Sequence, residues 1–541
     1  MKAIKSIILA IVCISAVSCN DKSLDVTPTD QLTDATVFTS AANATLFLND
    51  IYNSLNPGPW SLVFTLQPTE VSNDPLDNYS DNSISGPIAG IPSYQAFTND
   101  SYGPTVPIFD KQWANMYANI RKCNLFITKT TTATFDDASK KSLIAQARFL
   151  RAYFFKSLMD LYGGVPLVLK VLDQSTDGDA IFYPRNTYDE CVTFIETECE
   201  AIQADLPLTV TGNNIGRATK GAALALEGEE QLYAGKWANA AATNLKIMNL
   251  GAGYDLFSDY AGTFYSANDD NKEVIFDIQY APIIKGHARD TYWGPPVVSD
   301  GTGYGAVNPT QDLVDTYEFL DGKTEAEGSA MFDPNNPYNN RDKRFAASIL
   351  YDGSTWRNGT ISTKSGGSAG GRTGYSLRKI LDPTVVPGSA NISQLTGGSN
   401  AIIWRYGEVL LNYAEAKNEA SGPDQSIYDA VNKVRARGGL PNLPTGLSQD
   451  ALRQGIRRER RIELAFEGKR LFDLWRWKIA EQVFSQPLRG MKITPSGSTL
   501  TYQKVAIASA KITFNPAKNY RMPIPQTVIA QNAKITENPG Y

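Results

Sequence analysis

The sequence predicts a mainly α protein in which stacked helical hairpins form a scaffold for long irregular loops and a few short strands. Three observations support this. Apolar residues recur at three- and four-residue spacing in both halves of the chain, which puts them on one face of a helix. Paired helical segments are separated by short breaks and carry small alanines, which let helices approach closely. Between Pro57 and Pro107, and again between Tyr280 and Asn400, that periodicity gives way to stretches rich in Gly, Pro, Asn, Asp and Ser.

The elements follow in chain order. Lys2 and Lys5 precede the apolar run Ile7 to Val17, and Ala16-Val17-Ser18-Cys19 comes next. A short apolar core behind positive charge has the make-up of a secretion signal, and it is too short to cross a bilayer as a helix. Small residues before a cysteine resemble a bacterial lipobox, although Ala16 stands where leucine is more usual. The resemblance implies cleavage after residue 18 and acylation of Cys19. Residues 19–35 are polar and read as a flexible tether; the eleven residues from Asn20 to Asp30 could span roughly 35–40 Å if extended. Beyond them, the scaffold is expected over residues 36–56, 109–250 and 402–541 of a single body, with loops at 57–107 and 280–400 forming the working surface.

Helices are predicted at Phe109 to Thr128 and around Leu143, Ala147, Leu150, Phe154, Leu158 and Leu161. Ala152, Phe155, Met159 and Tyr162 add a second apolar strip to the latter, so that helix is buried on two sides. Gly163-Gly164 and Pro166 end it. Tyr188 to Ala204, Ala218 to Ala234 and Trp237 to Met248 follow. Trp404 to Glu419, Ile427 to Arg437 and Ser448 to Trp477 complete the set. The pairs Gly221–Tyr233 with Trp237–Met248, and Trp404–Glu419 with Ile427–Arg437, resemble tetratricopeptide-type hairpins.

Composition narrows the function. Net charge is −5 over 541 residues, and removing Lys2 and Lys5 with the signal takes it to −7. An acidic body argues against nucleic acid, whose phosphates need a basic surface. No later run of about 20 apolar residues offers a membrane span. Cys123, Cys191 and Cys199 remain beyond the anchor, and an odd number cannot all pair. Cys191 and Cys199 lie eight residues apart on one predicted helix, roughly 12 Å, too far to bridge. All three read as buried thiols, and no metal spacing is present. The single histidine, His287, lies in a loop and reads as solvated. One histidine excludes the common zinc sites, and no serine motif accompanies it.

Two sets of residues could carry chemistry. Glu459, Glu463 and Glu467 repeat every four residues among Arg457, Arg460 and Arg461. A glycosidase would place two carboxyls about 5–9.5 Å apart across a cleft. Stacked on one helix these have no opposing wall, so an ion-pair network is the better reading. The loop aromatics read the other way. A sugar ring has an apolar C–H face for Tyr or Trp, and hydroxyls for Asn, Asp and Arg. Three clusters combine both: Tyr292-Trp293 beside Arg289 and Asp290; Tyr79 beside Asn73, Asp74, Asp77, Asn78 and Asp81; and Tyr375 beside Arg372. Tyr304 and Trp356 are further candidates. Asn73, Asp74, Asp77 and Asp81 could instead hold Ca²⁺, but they lack the glycine and closing glutamate of an EF-hand loop. No metal or cofactor is expected.

A series of motifs resembles the SusD/RagB family of Bacteroidetes outer-membrane lipoproteins. They include Ala145-Gln-Ala-Arg-Phe-Leu-Arg-Ala152 leading to Leu161-Tyr-Gly-Gly-Val-Pro-Leu167, Asn271-Lys-Glu-Val-Ile-Phe276, Asp312-Leu-Val-Asp-Thr-Tyr317 and Asn340-Arg-Asp-Lys-Arg-Phe345. Further along come Trp404-Arg-Tyr-Gly-Glu-Val-Leu-Leu-Asn-Tyr-Ala-Glu-Ala416, Arg457-Arg-Glu-Arg-Arg-Ile-Glu-Leu464 and Asn538-Pro-Gly-Tyr541. Their order along nearly the whole mature chain carries the resemblance. It implies a SusD-like fold on tetratricopeptide-like hairpins, a place on the cell surface, and a partner: a SusC-like TonB-dependent transporter. It implies capture of a glycan or oligosaccharide without catalysis. The family has no shared ligand motif, so the candidates Tyr292, Trp293, Tyr304, Tyr79, Asn73, Asp74, Arg372, Tyr375 and Trp356 rest on local chemistry alone. A glycoside hydrolase on a helical scaffold and a peptide-binding import lipoprotein are the alternatives.

Overall fold

The computed structural model describes residues 37–55, 75–86, 92–105, 110–296, 303–365 and 371–541. The expected signal, tether and Cys19 lie outside these residues, as do Asn73 and Asp74. The scaffold helices are α1 (Ala41–Asn53), α2 (Asp110–Thr131), α3 (Asp137–Tyr162), α4 (Tyr188–Ile202), α5 (Lys220–Tyr233), α6 (Trp237–Met248), α7 (Tyr406–Ser421), α8 (Gln425–Gly438), α9 (Gln449–Glu463) and α10 (Arg470–Arg476).

Local chemistry sets the helix ends. The Asp136 carboxylate accepts from the Ser139 N–H at 2.8 Å and starts α3. Gly163, at φ +77°, lets the chain leave it. Thr187 and Glu190 form a reciprocal capping box that starts α4. Both apolar strips of α3 are buried: Leu150, Phe154, Leu158 and Leu161 on one side, Phe155, Met159 and Tyr162 on the other. Truncating one such ring, as in Phe154→Ala, costs about 3–5 kcal/mol. Cys123, Cys191 and Cys199 are buried free thiols, as their spacing implied.

Each helix packs on the next, α2 to α3, α3 to α4, α4 to α5 and α5 to α6, as in stacked hairpins. The array then continues across a gap in sequence. Helix α6 packs on α7, and α7 on α8 and α9, although residues 249–405 lie between α6 and α7. A strand pair begins and ends most of that insertion. β2 (Val274–Ile278) runs antiparallel to β4 (Ala401–Arg405). Here the structure corrects the sequence reading: Trp404 lies in a strand that runs to Arg405, and does not begin a helix. Ile402 and Ile403 are β-branched and favour extended backbone, and Arg405 is still extended where α7 starts. The Trp404 indole donates to Glu229 Oε2 at 2.8 Å, and its ring meets Phe276, Tyr153 and Phe149. This aromatic junction fixes the sheet to α3.

The stretch from Ser448 to Trp477 also divides. α9 starts on the Ser448 cap and stops at Glu463; after a turn, α10 follows. Asp77, distant in sequence, holds the turn. Its carboxylate accepts from the Phe466 and Gly468 N–H groups, each at 3.0 Å. Phe466 takes a positive φ of 65° there, an uncommon conformation for a bulky residue.

The glutamates around this break form the ion-pair network that their spacing suggested, although Glu467 stands beyond the helix. Arg405 Nη1 lies 2.6 Å from both Glu463 and Glu273, and its Nη2 2.6 Å from Glu467. Arg344 Nη1 lies 2.5 Å from Glu459 and 2.9 Å from Glu463, and Lys379 2.6 Å from Glu467. All these groups are buried. Burial alone would raise the Glu463 carboxyl, but Arg437, Arg405 and Arg344 hold it far below the usual range. A carboxyl held that low stays ionised and cannot serve as a general acid.

Candidate functional site

The loop clusters named from sequence meet around a small antiparallel sheet. β1 (Ser83–Ser85) pairs with β3 (Val307–Pro309), with Ile84 opposite Asn308. The Gly86 N–H extends the ladder to the Ala306 carbonyl at 3.1 Å. Gly86 must be glycine, because a Cβ there would sit 1.8 Å from the Gly305 carbonyl oxygen.

Each cluster is tied to this sheet. From the Tyr79 cluster, the Asn78 side chain donates to the Ala306 carbonyl at 3.1 Å. From the Tyr292 cluster, the Tyr292 carbonyl accepts from the Ala306 N–H at 2.9 Å, and the Thr291 carbonyl from the Tyr304 N–H at 2.7 Å. From the Tyr375 cluster, the Arg372 N–H donates to Asn308 Oδ1 at 2.7 Å, and its Nη1 to the Ser85 carbonyl at 2.9 Å. Arg372 Nη2 reaches Ser509 Oγ at 2.6 Å. Neither Asn308 nor Ser509 was named from sequence. Nothing in their local sequence marks them, because their role comes from a neighbour far along the chain.

The candidates then separate by burial. Tyr79 and Tyr375 are 0% exposed, Trp356 2% and Trp293 3%. Their faces are covered by protein, which corrects the expectation that they stand open to a ligand. Tyr79 packs edge-on against Phe97 at 4.9 Å. The Tyr375 hydroxyl donates to Gln311 Oε1 at 2.7 Å. Trp356 lies against the guanidiniums of Arg357 and Arg378, at 5.5 and 5.7 Å. For a ring in a loop, anchoring the loop gains the full apolar burial, and these four do that.

Tyr292, Tyr304 and Arg372 are the partly exposed remainder. The two tyrosine rings lie 5.4 Å apart, inclined at 55°. Burial, with Tyr304 beside it, raises the Tyr292 phenol, so it stays protonated and can donate. Arg372 uses two of its side-chain nitrogens on Ser85 and Ser509 and makes no ion pair among the described residues. Together they offer two angled aromatic faces and a fixed cation, suited to the apolar face and the hydroxyls of a sugar.

The polar neighbours named from sequence turn inward. Arg289 Nη2 donates to the Ser399 carbonyl at 2.8 Å, and Asp290 Oδ1 accepts from the Asp382 N–H at 2.8 Å. His287 is buried against Arg289 and Ser399, not solvated as its loop position suggested. Burial and the Arg289 charge push its pKa well down, so the ring is neutral. Asp81 is buried between Arg461 and Arg470, at 2.9 and 2.8 Å, which bring it to about 2 against the effect of burial. Asp77 is committed to the turn after α9. The oxygens that a cation at Asp77 and Asp81 would need are thus engaged by protein donors.

Two SusD models match most of the chain. The SusD family model matches residues 272–541, and a SusD-like model described as starch-binding and associating with the outer membrane matches residues 22–227. The chain is 26% identical over 550 residues to a SusD-like protein P2 of Formosa agariphila, with 98% of each covered. A crystal structure of a SusD-like protein from Bacteroides fragilis superposes with a TM-score of 0.81 at 29% identity, covering 95% of this chain and 100% of that one. A second B. fragilis structure, a SusD-like carbohydrate-binding protein, gives 0.79 at 27% identity, covering 93% and 100%.

Proposed function

The chain belongs to the SusD family, and from that premise we propose that it is a non-catalytic cell-surface lipoprotein that captures an oligosaccharide. In this reading residues 1–18 are removed, Cys19 carries the lipid, and the bound glycan passes to a SusC-like TonB-dependent transporter. One observation carries the ligand class: three separate loop clusters are tied to one small sheet, with Tyr292, Tyr304 and Arg372 left partly open beside it. The carbohydrate-binding relative from B. fragilis supports the same class. Among the described residues no helix is long and apolar enough to cross a membrane.

The hydrolase alternative would require Glu459, Glu463 or Glu467 to face a cleft. They are buried in ion pairs with Arg344, Arg405 and Lys379, which favours the binding reading. Isothermal titration of the mature chain against a panel of oligosaccharides and peptides tests it. We expect heat of binding from at least one glycan, no release of reducing ends, and about a tenfold loss of affinity in Tyr292→Ala, the worth of one aromatic contact. Sugar release by the pure protein, or binding of peptides alone, would overturn it.

A further inference from the structure

A cavity of 380 Å³ opens between the C-terminal end of α1, the loop around Ile215 to Arg217, and the end of β2. It shares no lining residue with the Tyr292–Tyr304 site. Its volume falls within the roughly 300–1,000 Å³ of small-molecule sites. Two cations line it, Arg217 and Lys285. Arg217 donates to Asn49 Oδ1 at 2.6 Å and Gln146 Oε1 at 3.3 Å, both neutral, with Tyr52 under its guanidinium at 5.6 Å. Lys285 is half-buried, with the Tyr280 ring 5.9 Å from its Nζ. Neither makes an ion pair among the described residues. Elsewhere the chain pairs even its fully buried cations, as at Arg344 and Lys379.

The rest of the lining is mixed. Asn53 and Asn213 supply amide donors and acceptors, and Leu55 and Ile215 an apolar patch. Two carboxyls stand nearby: Asp277 is buried with both oxygens bonded, and Asp270 is exposed and accepts through one oxygen. The Gln279 amide donates to Asp277 at 2.7 Å and Asp270 at 3.0 Å, and Asn400 donates to the other Asp277 oxygen at 2.9 Å.

We propose that this cavity is a second saccharide site, selective for an acidic sugar unit of the hexuronate class. Arg217 and Lys285 take the carboxylate, the asparagines the hydroxyls, and Leu55 and Ile215 the C–H face. A guanidinium keeps spare donors after two bonds, and charge-assisted bonds to a carboxylate are the strong ones. The site is independent of whichever glycan the Tyr292–Tyr304 pair selects.

Titration of the full mature chain with glucuronate and galacturonate, and with glucose as the neutral control, tests this. We expect at least one uronate to bind and glucose to bind at least tenfold more weakly. Lys285→Ala should weaken uronate binding about tenfold, as expected for one charge-assisted contact, with its thermal unfolding unchanged. Arg217→Ala should do the same, and since that residue also joins α1 to α3, the Lys285 variant keeps the test valid if Arg217→Ala misfolds. Equal affinity for glucose, no uronate binding at millimolar concentration, or full affinity in Lys285→Ala would each overturn the proposal. So would loss of uronate binding in Tyr292→Ala, which would place the ligand at the Tyr292–Tyr304 pair.

Discussion

Arg405 shows how much a single side chain can carry. It ends β4, and its guanidinium joins Glu273, just before β2, to Glu463 at the end of α9 and Glu467 beyond it. Removing one partner from a buried network leaves uncompensated charge, which costs about 3–5 kcal/mol. Arg405→Met should therefore lower the urea midpoint strongly. An unchanged midpoint would mean that water or rearrangement takes up the stranded carboxylates. The glutamates were legible from sequence as a network because they interleave with arginines, but the sequence hid which arginines they meet. Arg344, Arg405 and Lys379 come from other segments, whereas their neighbour Arg461 turns away to Asp81. Asp77 is the residue whose role was read least well. Among asparagines and aspartates it looked like a ligand group; folded, it caps a turn nearly four hundred residues away.

The small sheets decide what the loops can do. β1 and β3 are three residues each, too short to announce themselves, and a pair that small is not stable alone. It persists because Asn78, Tyr292 and Arg372 bond to its edges. Gly86→Val is the test at this scale. Its side chain would push Gly305 away, separating the Tyr292–Tyr304 element from Arg372. We expect a loss of about 1–3 kcal/mol, typical of overpacking, together with a larger fractional loss of glycan affinity than of stability. Preserved affinity would show that the tyrosines bind ligand without the sheet's support. Long helices were legible because a 3.6-residue repeat extends over many turns, as in α3. The break after Glu463 was not, because the apolar pattern runs on through it and only a distant carboxylate interrupts the backbone.

For the whole molecule, the buried carboxyls make stability depend on pH from two sides. Burial pushes Asp269 and Asp277 up to about 7, helped by the neighbouring charge of Asp270. Between pH ~4, where such groups titrate when unfolded, and pH ~7, the folded chain holds protons that the unfolded chain has lost. Stability from these groups therefore falls as pH rises through that window. Asp81 and Glu415 act in the opposite sense. Despite burial, Arg461 and Arg470 hold the first at about 2, and Arg476 the second. Their contribution is complete above pH ~4–5 and is lost as pH falls toward 2. The urea midpoint should accordingly peak near pH 5, with lower values at pH 8 and pH 3. A steady rise from pH 5 to pH 8 would refute this balance. The proposed anchor is testable at the same scale. Cys19→Ala should release the protein from the membrane and leave its glycan affinity unchanged in solution. Lost affinity would give the anchor a role beyond tethering.

By itself, the sequence determined the class of fold, the family, the long helices and the chemistry available in the loops, and it supplied the lipobox-like motif on which the proposed anchor rests. These are local or serial properties: a repeat, a motif, a composition. Tertiary structure alone decided which aromatics face outward, because burial depends on what the rest of the chain lays over a ring. Tyr79, Trp293, Trp356 and Tyr375 were as plausible from sequence as Tyr292 and Tyr304. Once α6 met α7 across the insertion and the loops closed on the sheet of β1 and β3, four rings became core and two remained partly open beside Arg372.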